Sequence, residues 1–71
     1  MRCLDKQEMF ALEALIDSCG LSPVLMALSE ICGEKAEHVA VNWQDTALAK
    51  DWATAGNRIS NALPSVVARG L

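Results

Sequence analysis

Apolar residues recur at helical spacing along almost the whole chain, and local punctuation separates them into three runs. In the first, Leu12, Leu15, Ile16 and Cys19 fall at i, i+3, i+4 and i+7, while Lys6, Glu13 and Asp17 lie opposite at about 100° per residue. Asp5 followed by Glu8 has the spacing of a capping box, which starts a helix, and Gly20 supplies the left-handed residue that commonly ends one. The second run opens at Ser22-Pro23, where the serine oxygen can cap and proline gives up an N–H that has no helical partner in any case. From there Leu25, Leu28, Cys32, Val39 and Trp43 keep one face, with Val24, Ile31 and Ala36 at its edges. Gly33 within this run costs about 1 kcal/mol relative to alanine. It allows a close helix approach, a kink or a break; the unbroken phase of the apolar face across it favours one continuous helix.

Asn42-Trp43-Gln44-Asp45 is polar punctuation around a tryptophan, with Asn42 or Asp45 as the next N-cap. The third run carries Leu48, Trp52, Ala55, Ile59 and Ala62 or Leu63 as a stripe, with Lys50, Asp51, Thr54, Asn57, Arg58 and Asn61 on the solvent side. Beside the stripe, Ala49, Ala53 and Gly56 form a small-residue edge that would let another helix come close. Pro64 should end the helix at Leu63, because the residue before proline resists the helical region. Ser65 to Leu71 then forms a short terminal turn or a frayed tail. The expected fold is all-α, a three-helix up-down bundle with helices about 4–19, 23–42 and 45–63 and a short C-terminal tail, in a single domain over 1–71. Its expected core is Leu12, Leu15, Ile16, Leu25, Leu28, Cys32, Val39, Trp43, Leu48, Trp52 and Ile59.

Composition narrows the function classes. Nine acidic and six basic residues give a net charge of −3, and the cations are scattered along the chain. Without a basic stripe to neutralise phosphates, direct nucleic-acid binding is not expected. Cys3, Cys19 and Cys32 are odd in number and match no zinc spacing, which points to reduced, buried thiols in a cytoplasmic protein. The N-terminus carries charges and no long apolar run, so neither a signal peptide nor a membrane span is expected.

Two side chains break the helical pattern. Phe10 falls on the polar side of the first helix among Lys6, Glu13 and Asp17; it is either a lone exposed ring or a contact point for a second subunit or a partner. Lys35 lies near the apolar face of the second helix. Its stem can cover that surface with the ammonium in water, or it can pair with Glu8.

The strongest chemical grouping is Glu30, Glu34 and Glu37, stacked on one side of the second helix with His38 beside them. Glu34 and His38 at i and i+4 could share a metal ion. Helical di-iron sites, however, use a Glu and a His three residues apart on each of two helices, plus further inward glutamates. Here the pair is offset by four, occurs once and faces outward, so a metal site would need a symmetric second copy. A solvated acidic face is the plainer reading, and no cofactor is expected. Nucleophilic catalysis needs a thiol or hydroxyl beside an oriented base, and Cys32 and His38 lie on different faces. An enzyme is therefore not expected.

The segments ALSEICGEKAEHV, NWQD and LAKDW together resemble a family of small helical proteins of bacteria, phages and other mobile elements, over Leu12 to Ile59. That resemblance carries no activity or site residues, but it implies an accessory role such as inhibition of a host defence system. The expectation is a protein-binding module that sets the acidic edge of Glu30, Glu34, Glu37 and His38 against a basic partner surface. The alternatives are a metal-binding dimer using Glu34 and His38, and a structural subunit of a larger assembly. The small size, the hydrophobic fraction of 52% and Phe10 point to a homodimer.

Overall fold

A computed structural model describes residues 2–71. Among the described residues the fold is all-α with three helices: α1 (Lys6–Cys19), α2 (Leu21–His38) and α3 (Thr46–Ala68), with a π-helical turn (Val39–Trp43) extending α2. α1 starts as its capping residues dictate. The Glu8 N–H donates to Asp5 Oδ1 at 2.8 Å, and the Asp5 N–H donates back to Glu8 Oε1 at 3.0 Å. α2 runs unbroken through Gly33, as the phase of its apolar face requires.

A single residue joins α1 to α2. Gly20 takes φ 93° and ψ 163°, a region essentially reserved for glycine, and the chain turns by 119° there. Ser22 is not the cap of α2; the helix begins two residues earlier than expected, at Leu21, with Gly20 in the cap position. The orphan N–H groups of Leu21 and Ser22 donate instead to the carbonyl oxygen of Leu71, at 2.6 and 3.2 Å. The segment that follows α3 supplies the cap.

The α2–α3 pair holds the densest packing, and small residues set it. A β-carbon on Gly56 would lie 3.0 Å from Cys32 Cβ and 3.3 Å from the Ser29 carbonyl oxygen, so the two backbones approach closely at this point. Ser29 Oγ donates to the Gly56 carbonyl at 3.0 Å across the same crossing. Ala49 and Gly56, from the small-residue edge, are buried, while Ala53 is exposed. Trp52, Ala55, Ile59 and Leu63 flank the contact half-buried.

The core is smaller than the apolar pattern implies. Cys32, Val39 and Ala49 are its buried hydrophobic residues; Leu12, Ile16, Leu25, Trp52 and Ile59 are half-buried, and Leu15, Leu28, Trp43 and Leu48 are exposed. The reason is that α2 has two apolar faces. Leu25, Ser29, Cys32, Ala36 and Val39 look toward α3, whereas Val24, Leu28 and Ile31 look into the corner with α1. Trp43, 73% exposed, closes the π-turn at the tip of the hairpin. Gln44 follows in the left-handed conformation (φ 51°, ψ 28°), and Asp45 caps α3 by accepting the Leu48 N–H at 3.0 Å.

α3 does not stop at Leu63. It continues through Pro64 to Ala68. Proline has no N–H to offer the Ser60 carbonyl, but Ser60 is exposed and water can take that place. The helix ends in a Schellman motif, with the Leu71 N–H on the Val66 carbonyl at 3.1 Å and the Gly70 N–H on that of Val67 at 2.9 Å. The tail is therefore Arg69–Leu71, and it is ordered by the cap it gives α2.

Among the described residues no single helix is long and apolar enough to cross a membrane.

Candidate functional site

The acidic row lies on the exposed side of α2, where the 3.6-residue repeat stacks residues three and four apart. Glu34 and His38 line one shallow depression of about 300 Å3 together with Ile31 and Lys35. Glu34, Glu37 and His38 line a second, of about 260 Å3, with Val41 and Asn42. Glu30, one turn earlier, borders a different groove with Met26, Ser29, Ser60 and Leu63. The structure thus groups Glu34, Glu37 and His38 and sets Glu30 at the start of the row.

Local chemistry fixes His38 more than its neighbours. The Asn42 side-chain amide donates to the His38 carbonyl at 3.1 Å and lies 3.0 Å from His38 Nδ1. With Nδ1 as the acceptor, the ring carries its proton on Nε2, the atom that faces away from Asn42. Asn42 therefore belongs to the acidic edge and does not cap α3. The i, i+4 spacing from His38 was the signal for this, and capping chemistry at Asn42 competed with it.

No carboxylate of the row has a cation within salt-bridge distance; the ion pair among the described residues is Arg2–Glu8, with contacts of 2.6 and 2.8 Å. Arg2 first, and the Asp5 N–H second, hold the Glu8 carboxyl down at about 2. Glu8 is thereby engaged at the start of α1, and the pairing with Lys35 does not form. Lys35 is exposed and lines the depression beside Glu34.

Metal chemistry finds too few donors. Among the described residues no three His, Cys, Asp or Glu side chains converge. Glu34 and His38 share a depression, but a third ligand would have to come from elsewhere. The thiols are also not all buried: Cys32 is, whereas Cys3 and Cys19 are exposed. Phe10 is 66% exposed on the polar side of α1, where the helical wheel puts it.

One constellation escaped the sequence pattern. Leu12, Leu15 and Cys19 of α1 and Val24, Leu28 and Ile31 of α2 line an open groove of about 260 Å3, apolar almost throughout. It exists because of the 119° turn at Gly20, which no periodicity of apolar residues encodes.

No family model matches the chain, and no curated protein or solved structure matches it either.

Proposed function

We propose that the protein is a non-enzymatic interaction module whose acidic edge on α2, Glu30, Glu34, Glu37 and His38, receives a basic surface of another protein. The observation that carries this reading is that the three carboxylates stand exposed in one row, without an ion pair among the described residues, with the exposed apolar side chain of Val41 in the depression two of them line. An apolar contact rimmed by charge is the usual composition of a protein-binding patch. Cys32 is buried and His38 exposed, and among the described residues no third ligand joins Glu34 and His38, which supports a binding role over thiol catalysis or metal chemistry. Three free thiols support a cytoplasmic setting. The resemblance of ALSEICGEKAEHV, NWQD and LAKDW to mobile-element proteins supports an accessory role such as inhibition of a host defence system.

Capture from host lysate tests the reading. Proteins held by the wild type should be released by added salt and lost from the Glu34→Lys/Glu37→Lys variant, because rim charges act through screened Coulomb attraction. A captured set indifferent to both changes would remove the acidic edge as the binding surface.

A further inference from the structure

The apolar groove between α1 and α2 is a feature of a different kind from the acidic edge. Its lining is Leu, Ile, Val, Ala, Pro and Cys, without one charged side chain, and Leu15 and Leu28 in it are 55% and 39% exposed. α1 rests on α2 alone and does not touch α3. A corner of this sort presents both a ridge, α1 itself, and a groove that fits a ridge of the same chemistry.

The area left in water over the whole molecule sets an upper bound on what a partner can cover. A compact monomer of 7.6 kDa exposes about 4,300 Å2, against 5732 Å2 here. The radius of gyration is 14.0 Å, where about 11 Å is expected for this length. The excess of about 1,400 Å2 per chain comes to about 2,800 Å2 for two chains, inside the 2,000–5,000 Å2 range of obligate homodimers.

We propose that this groove seats a second copy of the chain, in an isologous homodimer in which each α1 lies across the α1–α2 corner of the other. In such a pairing the same patch serves both subunits, so it must be self-complementary. The uncharged lining meets that condition: the net charge of −3 is carried outside the groove, and no like charges are forced together. A lipid surface fits less well. Helices that lie in a bilayer interface carry Lys and Arg on their polar side, whereas Glu13, Asp17, Glu30 and Glu34 dominate the outer faces of α1 and α2. Phe10 lies on the opposite side of α1 from Leu12, Leu15 and Cys19, so it stands outside this interface.

Light-scattering mass measurement on the intact chain tests the proposal, with Leu15→Glu and Phe10→Glu as the paired variants. The wild type and Phe10→Glu should run at twice 7.6 kDa, and Leu15→Glu at 7.6 kDa with its helical circular dichroism retained. A wild type at 7.6 kDa, alone or bound to lipid vesicles, overturns the proposal, as does a dimer that survives Leu15→Glu. Should Leu15→Glu fail to fold, thiol labelling of the wild type decides. Cys19 lines the groove and Cys3 does not, so Cys19 should be protected while Cys3 reacts; equal labelling of both excludes the dimer.

Discussion

Alanine at Gly56 and alanine at Gly33 should differ in effect, although both glycines are helical and one helix–helix contact separates them. Each substitution gains about 1 kcal/mol of helix propensity. At Gly33 nothing lies within 4 Å of the new methyl group, so the gain stands. At Gly56 the methyl meets Cys32 Cβ at 3.0 Å and the Ser29 carbonyl oxygen at 3.3 Å, and a backbone oxygen cannot swing aside as a flexible side-chain end can. Overpacking of this kind costs about 1–3 kcal/mol. The helices must separate, and the 3.0 Å bond from Ser29 Oγ to the Gly56 carbonyl lengthens with them. Gly33→Ala should therefore raise the unfolding free energy by about 1 kcal/mol, and Gly56→Ala should leave it unchanged or lower it by up to about 2 kcal/mol. Urea denaturation of both variants and the wild type, at one protein concentration because association shifts apparent stability, reads the difference. Equal stabilisation by the two substitutions would refute the close crossing of α2 and α3.

Other expectations are local. Asp45→Ala removes the acceptor of the Leu48 N–H and should cost about 0.5–2 kcal/mol in denaturant titration. Gln44→Gly relieves a left-handed side chain and should stabilise by about 1 kcal/mol, visible as a raised Tm. Glu8, with its carboxyl lowered from 4.5 to about 2 by Arg2, contributes stability that is present above pH 4.5 and lost as pH falls through about 2. Acid titration of α1 amide signals should show that loss in the wild type, and Glu8→Gln should abolish it.

Where one residue's chemistry decides the outcome, the sequence was sufficient. Asp5 with Glu8 acts within one turn and starts α1, Asp45 is one of the two caps the spacing offered for α3, and the unbroken phase of the apolar face carries α2 through Gly33. Legibility failed where a distant group settled a local choice. Pro64 reads as a stop, but Gly70 builds the Schellman motif and Leu71 docks on the start of α2, so the last turn is held from outside. Leu28 shares a helical stripe with Leu25 and Cys32, yet the turn at Gly20 carries α1 to one side and leaves Leu28 over a groove. In the acidic edge, the row Glu30, Glu34, Glu37 and His38 was legible from spacing alone. The addition of Val41 and Asn42 was not, because Asn42 has two chemically reasonable uses.

The bond from Leu21 N–H to Leu71 makes α2 and α3 a closed ring, joined by the Gln44–Asp45 turn at one end and by the Leu71 oxygen at the other. Neither helix can fray at that seam without releasing its neighbour, so the pair should open as one cooperative unit. α1 stands outside the ring on the single pivot of Gly20. It can be lifted, exchanged or recaptured without breaking a hydrogen bond of the ring, which makes it the part of the molecule free to answer to a neighbour.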